Sequence, residues 1–183
     1  VFVGGTKGSP GKMFEVKNVI WSETKGFRSE PEFTDSDAVL FDANGDGHFD
    51  LYVCSGGYHD YLSTDESLQD RIYINDGSGN FKYSANSLPS MLTSCSTVVA
   101  ADFNGDGLHD LFVGGRIVPG KYPLTPSSYL LINLGNGKFD DQSVSFLPKS
   151  GKLGMVTDAA AIEINGDGAT DLVLVGEYMP ITV

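Results

Sequence analysis

Short apolar runs separated by glycine-rich polar segments recur along this chain. A run of three apolar residues followed by two glycines occurs at residues 1–5 and again at 111–115, and related runs occur at 51–57 and 172–176. The runs return after roughly 50 to 60 residues, and no window of about 11 residues shows helical periodicity. The pattern therefore predicts a repeated unit made of short strands.

We predict four strands in each unit, joined as an antiparallel meander by turns that contain Asn-Gly and Asp-Gly pairs. Residues 71–81 and 129–139 match each other and follow the apolar runs in the same order, so two independent motifs repeat together. The predicted strands are residues 38–41, 98–101 and 159–162 (first), the Leu-x-Val runs (second), residues 13–16, 71–74 and 129–132 (third), and residues 81–84 and 138–141 (fourth).

An isolated four-stranded sheet exposes an apolar face on each side and is stabilised by stacking on neighbours. The predicted fold class is all-β, with tandem four-stranded antiparallel blades of a partial β-propeller, and a solenoid is the alternative. The whole chain, residues 1–183, is expected to form one fragment with units at 1–34, 35–94, 95–155 and 156–183, the first and last incomplete. The start lacks an initiator Met and a signal-peptide pattern, so further blades in a longer parent chain are expected.

An acidic nonapeptide precedes three of the apolar runs. Oxygen donors at its positions one, three, five and nine, with a backbone carbonyl at position seven, are suited to Ca²⁺, which takes six to eight oxygens at about 2.3–2.6 Å. The predicted ligands are Asp42, Asn44, Asp46, the His48 carbonyl and Asp50; Asp102, Asn104, Asp106, the Leu108 carbonyl and Asp110; and Glu163, Asn165, Asp167, the Ala169 carbonyl and Asp171. The longer Glu163 predicts that the third site is the weakest.

The nonapeptide has two other interpretations, an EF-hand and a plain hairpin turn. An EF-hand requires a Glu at position twelve between two helices, but Val53, Val113 and Leu174 occupy that position and the flanks have strand patterns. A plain hairpin turn does not require three carboxylates within nine residues, where mutual repulsion would destabilise the hairpin unless a cation offset it. We therefore favour calcium sites.

The acidic loop and the strands that follow it resemble the FG-GAP or VCBS repeat, the blade unit of integrin α-subunit β-propellers and of many bacterial secreted and surface proteins. The resemblance covers essentially the whole chain and is strongest at residues 102–115 and 42–53. It implies a propeller similar to the N-terminal region of integrin α subunits. It also implies calcium in the hairpin between the first two strands of a blade and a role in adhesion, recognition or scaffolding.

Composition and motifs disfavour several classes of function. Lys plus Arg total 12 against 24 for Asp plus Glu, and the net charge of −12 disfavours nucleic acid and anionic membranes as partners. No apolar stretch is long enough to span a membrane. No hydrolase, zinc-protease or phosphate-loop motif is present, so we predict a non-enzyme; a catalytic carboxylate would have to lie outside the loops, as Asp158 and Glu177 do. A non-catalytic part of a secreted carbohydrate-active enzyme and a purely structural spacer remain alternatives.

Connections between second and third strands should lie on the end of the units opposite the acidic loops. Two of these connections, residues 56–70 and 116–128, are long and aromatic, and they predict a face for a protein or glycan ligand. Its candidate residues are Tyr58, His59, Tyr61, Arg116 and Tyr122, with packing against neighbouring blades as the alternative role.

Cys54 and Cys95 are too few to define a disulfide framework, and a disulfide and two free buried thiols are both compatible with their positions. Calcium sites of the affinity found in extracellular modules would be empty in cytosol. We therefore expect a secreted, periplasmic or cell-surface location.

Overall fold

The computed structural model describes residues 1–58 and 61–183. Its regular structure is almost entirely β, in four antiparallel sheets that follow one another along the chain. Helical structure is confined here to the turns Glu66–Leu68, Ser143–Phe146 and Pro148–Gly151. Within the described ranges, no helix is long and apolar enough to cross a membrane.

Each sheet is a meander of consecutive strands. Sheet 1 contains β1 (Phe2–Val3), β2 (Lys12–Lys17) and β3 (Ile20–Glu23); sheet 2 contains β4 (Asp35–Phe41), β5 (Asp50–Ser55), β6 (Arg71–Asn75) and β7 (Phe81–Tyr83); sheet 3 contains β8 (Ser94–Ala101), β9 (Asp110–Ile117), β10 (Tyr129–Asn133) and β11 (Phe139–Asp141); sheet 4 contains β12 (Met155–Ile162) and β13 (Asp171–Glu177). The predicted all-β class and the four antiparallel strands of the two complete units are confirmed.

The second strand of sheet 2 divides its side chains between two neighbours because successive residues of a strand point to opposite faces. Tyr52 and Cys54 pack into a core shared with sheet 3, whereas Leu51 and Val53 pack with Met13 and Phe27 of the first unit. Full burial of a large apolar side chain contributes about 1.5–3 kcal/mol. Sheet 2 is therefore stabilised from both sides.

The same division occurs one unit later. Leu111 and Val113 of β9 face the core shared with sheet 2, and Phe112 faces Val156 and Leu174 of sheet 4. The first strands β4, β8 and β12 each contain a bulge near their start, so the register irregularity also repeats. Apolar side chains on both faces of each complete sheet thus explain why the sheets stack.

A buried ion pair lies within sheet 2 and contacts the first unit. Arg71 in β6 is 1% exposed and lies 2.5 Å from the carboxylate of Asp35 in β4, with its guanidinium 4.1 Å from the ring centre of Phe33. The other carboxylate oxygen of Asp35 accepts the N–H of Gly5 at 2.6 Å. Removing either charged partner would leave the other buried without compensation.

Candidate calcium sites and the opposite face

The three acidic nonapeptides occupy the same place in consecutive sheets. Acidic loop 1 (residues 42–50) joins β4 to β5, acidic loop 2 (102–110) joins β8 to β9, and acidic loop 3 (163–171) joins β12 to β13. In each loop the ninth residue begins the second strand or adjoins its start. All three loops therefore project from one end of their sheets.

Acidic loop 1 curls around its first side chain. The two carboxylate oxygens of Asp42 accept the N–H groups of Gly45 and Gly47, each at 2.8 Å. Both glycines have positive φ, 79° and 84°, which brings their N–H groups inward and which other residues rarely adopt. Asp46 accepts the N–H of His48 at 2.8 Å and the side-chain amide of Asn44 at 2.9 Å.

Acidic loop 2 repeats this geometry. Asp102 accepts the N–H groups of Gly105 at 2.7 Å and Gly107 at 2.9 Å, and Asp106 accepts the amide of Asn104 at 2.8 Å. Partial desolvation raises the pKa of Asp102, but the N–H donors of Gly107 and Gly105 outweigh it and leave the pKa below its usual value.

Acidic loop 3 is held less completely. Glu163 accepts the N–H of Gly166 at 2.5 Å, and Asp167 accepts the N–H of Ala169 at 2.7 Å. In the described parts of the chain, Glu163 forms no second bond to Gly168 of the kind that Asp42 and Asp102 form to the matching glycines. The extra methylene of Glu163 thus changes the local network at position one.

These hydrogen bonds reduce the repulsion between the clustered carboxylates that the sequence predicts. Asp46 has a lowered pKa because its hydrogen bonds from Asn44 and from the N–H of His48 favour the charged form. The loop's own donors therefore stabilise part of the clustered charge. Repulsion alone does not require a cation at position five.

The ninth carboxylate has a role that the sequence did not reveal. Asp50 is fully buried and accepts the N–H groups of Ala43 at 2.9 Å and of Asn75, in the third strand, at 2.8 Å. Burial raises the pKa of Asp50, the two N–H groups lower it, and the nearby charges of Asp46 and Asp42 raise it further. Asp50 therefore anchors its loop to the third strand.

Asp110 repeats this arrangement. It accepts the N–H groups of Phe103 at 3.0 Å and Asn133 at 2.8 Å, and burial raises its pKa. Asp171 accepts the N–H of Ile164 at 2.9 Å. The repeated Ile-Asn pair that ends β6 and β10 was the sequence signal that pointed to these third-strand partners.

The donor set of each loop fits a hard cation, because it consists of carboxylate, amide and carbonyl oxygens. In residues 1–58 and 61–183, however, the one group of three His, Cys, Asp or Glu side chains with ligand atoms within 4.8 Å of one another is Cys54, Asp70 and Cys95. The loop carboxylates are more widely spaced. Holding an ion would require these carboxylates to converge.

Cys54 and Cys95 form a disulfide with a Cα–Cα distance of 5.7 Å, which settles the choice left open by the sequence. The bond links β5 of sheet 2 to β8 of sheet 3. Asp70 lies beside it, fully buried, and accepts the hydroxyl of Tyr52 and the N–H of Ser55, each at 2.7 Å. Burial raises the pKa of Asp70 to about 7 even though both hydrogen bonds and the charge of Arg71 lower it.

The predicted ligand face divides into two parts. Tyr61 is only 8% exposed; its hydroxyl lies 2.8 Å from that of Thr34 and the amine of Lys7 lies 5.5 Å from its ring centre. Of the two roles that the sequence left open for Tyr61, the structure therefore favours packing, here against the first unit. Tyr58 is half-buried, and His59 lies outside the described residues.

Arg116 and Tyr122 lie at the junction of sheets 3 and 4. Tyr122 is 52% exposed and its hydroxyl lies 2.8 Å from that of Tyr178, which is 70% exposed. Arg116 forms an ion pair with Glu177 at 2.6 Å. Tyr178 and Glu177 were not predicted for this face, and their position directly after the last apolar run was the only sequence signal. We call these four residues the tyrosine–arginine cluster.

The fold defines a protein of tandem, stacked β repeats with an acidic hairpin in three consecutive sheets. A family model described as the FG-GAP-like repeat matches residues 56–113, from the connection after β5 to the middle of β9. The matched range includes all of acidic loop 2. No curated protein matches the chain. The match at residues 56–113 supports an FG-GAP-like repeat in this chain.

Proposed function

We propose that this chain is a calcium-stabilised β-propeller module for recognition, adhesion or scaffolding outside the cytosol, and that it is not an enzyme. The observation that carries the proposal is the recurrence of one oxygen-rich nonapeptide in the same hairpin of three consecutive sheets. The FG-GAP-like match supports the propeller, since propeller blades are short four-stranded meanders. Each complete sheet also packs both its faces against neighbours, as a blade does.

Each loop contributes its own residues to such a site. Asp42, Asn44 and Asp46 supply side-chain oxygens, and the His48 carbonyl lies between them and the strand. Bound calcium would supply positive charge at the centre of these oxygens and hold the hairpin closed. Asp50 stabilises the position of the loop, because it accepts one N–H from Ala43 in the loop and one from Asn75 in β6.

The disulfide supports a location outside the cytosol. Disulfides persist in secreted, periplasmic and surface proteins and are rare where thiols are kept reduced. Calcium modules in those compartments bind with a Kd of about 10⁻⁴ to 10⁻³ M. The Cys54–Cys95 bond and the acidic loops therefore point to the same environment.

Thermal unfolding tests the calcium proposal. A site with a Kd of about 10⁻⁴ M stabilises the folded protein by about 2.7 kcal/mol at about 10 mM calcium, which is about 100 times that Kd, so the midpoint should rise when calcium at this concentration replaces a chelator. A triple variant, Asp46→Asn, Asp106→Asn and Asp167→Asn, should lose this shift, and magnesium should reproduce little of it in the unmodified protein. Equal midpoints with calcium and with chelator would refute calcium binding.

The tyrosine–arginine cluster supports recognition over a purely structural spacer. Exposed Tyr and Arg side chains held by rigid strands are typical of binding surfaces. Arrays of glycans and surface proteins should yield a ligand whose binding falls at least tenfold in an Arg116→Ala, Tyr122→Ala variant. Phe146→Ala, which removes an aromatic side chain 55% exposed elsewhere, is the matched control and should bind normally. Unchanged ligand binding by the Arg116→Ala, Tyr122→Ala variant would exclude the tyrosine–arginine cluster as the binding surface.

A further inference from the structure

The side chain of Asn133 joins two acidic loops. Asn133 ends β10, is 2% exposed, and donates from its amide nitrogen to the carbonyl oxygen of Ala43 at 3.1 Å and to that of His109 at 3.0 Å. Ala43 belongs to acidic loop 1 of sheet 2, and His109 belongs to acidic loop 2 of sheet 3. The two hydrogens of one buried amide nitrogen are therefore donated to two different loops.

The contacts continue to the anchoring carboxylate of each loop. On one side, the backbone N–H of Asn133 donates to Asp110 at 2.8 Å. On the other, the N–H of Ala43 donates to Asp50 at 2.9 Å. A continuous set of bonded groups thus runs from the ninth position of loop 1 to the ninth position of loop 2.

Among the described residues, Asn75, the matching residue of sheet 2, forms no side-chain bond to a neighbouring sheet. Its amide nitrogen donates to the carbonyl of Phe49, in its own loop, at 3.1 Å, and its oxygen accepts the N–H of Gly77 at 3.1 Å. Asn133 makes the same kind of turn contact, accepting the N–H of Gly135 at 2.9 Å. The bond to Ala43 is therefore what distinguishes Asn133 from its counterpart.

We propose that Asn133 is a positioning residue that couples cation binding at acidic loop 1 to cation binding at acidic loop 2. The inference rests on the proposed calcium function. An ion in loop 2 that draws Asp110 inward displaces the N–H that Asn133 donates to it, and the rigid amide passes the displacement to Ala43. Coupling of this kind is reciprocal and typically changes affinity about 5- to 150-fold.

Calorimetric titration with calcium measures the coupling. The protein carries Glu163→Gln and Asp167→Asn, so that loop 3 does not contribute. Loop 1 is titrated with loop 2 intact or silenced by Asp102→Asn and Asp106→Asn, first with Asn133 present and then with Asn133→Ala. Silencing loop 2 should raise the calcium Kd of loop 1 at least fivefold when Asn133 is present. In the Asn133→Ala variant the Kd of loop 1 should rise less than twofold. Asn75→Ala is the matched control and should retain the fivefold effect.

Hydrogen exchange gives a second measurement that leaves Asn133 intact. With loop 1 silenced by Asp42→Asn and Asp46→Asn, calcium in loop 2 should slow exchange at Ala43 several-fold. The coupling is overturned if silencing loop 2 changes the calcium Kd of loop 1 equally in the protein with Asn133 and in the Asn133→Ala variant. It is also overturned if calcium leaves exchange at Ala43 unchanged. Either result leaves calcium binding itself in place. Absence of calcium binding in every protein overturns the proposed function and the coupling together.

Discussion

The side-chain carboxylate of Asp37 accepts the backbone N–H of Val98 at 2.9 Å, so the first strand of sheet 2 is hydrogen-bonded through a side chain to the first strand of sheet 3. The other oxygen of Asp37 accepts the N–H of Ala38 at 2.8 Å. Asp158 holds the corresponding place in β12, where it accepts the N–H of Ala159 at 2.9 Å. Asp37 therefore accepts a bond from the neighbouring sheet, whereas the bond that Asp158 accepts comes from its own strand.

Replacing Asp37 should weaken the contact between sheets 2 and 3. A hydrogen bond to a charged group contributes about 1.5–3 kcal/mol, so Asp37→Ala should lower the free energy of unfolding by roughly 2 kcal/mol. Urea unfolding measures this change. Asp158→Ala is the matched control, because Asp158 is exposed and its bond is local, and it should cost clearly less. Equal losses in the two variants would show that the bond to Val98 contributes little.

Shortening Glu163 should strengthen acidic loop 3. With Glu163→Asp, the side chain matches Asp42 and Asp102 and can accept the N–H of Gly168 as well as that of Gly166. We expect the calcium Kd of loop 3 to fall several-fold in a titration of protein whose other two loops are silenced. The reverse change, Asp102→Glu, should weaken loop 2 by a similar factor. A tighter or unchanged loop 2 in that variant would contradict the role given to position one.

Stability should fall with rising pH because of Asp70. Burial raises the folded pKa of Asp70 from 3.8 to about 7, so the folded state holds a proton that the unfolded state has released between those values. The favourable contribution is therefore full below about pH 4 and is lost as pH rises through about 7, and it amounts to a few kcal/mol.

Urea unfolding at pH 5 and pH 8, with chelator present, tests this dependence. Asp70→Asn removes the titrating group and should show a smaller loss of stability over the same range. Parallel profiles for the two proteins would assign the pH dependence to other groups.

Removing the Cys54–Cys95 disulfide should destabilise the contact between sheets 2 and 3. The bond spans a sequence separation of 41 residues. The chain-entropy relation for a loop of this length gives about 4 kcal/mol. Cys54→Ala with Cys95→Ala should show this loss in chemical unfolding.

Treatment with reductant is the control for that variant. The unmodified protein should lose a similar amount of stability once reduced, whereas the double variant should not change. If reduction leaves the unmodified protein as stable as before, the bond does not stabilise the fold.

The sequence by itself determined most of the strands, their order and the place of the acidic loops, whereas β3 and the first residues of β4, β8 and β12 were not predicted. These features depend on local chemistry: the strands are short apolar runs bounded by glycine-rich turns, and the glycines at 45, 47, 105 and 107 adopt the positive φ that the loops require. Matching sequences at a spacing of roughly 50 to 60 residues then extended one unit to the next. The disulfide stayed undecided, because pairing depends on the distance between two strands of different sheets.

Only the tertiary structure decided which side chains act between units. Tyr61 lies in a loop segment typical of a binding face, yet it is buried because the first unit comes within reach of its ring. Asn133 and Asn75 stand in matching Ile-Asn pairs, and only the stacking of sheet 3 on sheet 2 places Ala43 beside the first of them. Local patterns specify elements, whereas contacts between elements depend on the relative placement of distant segments, which no local pattern contains.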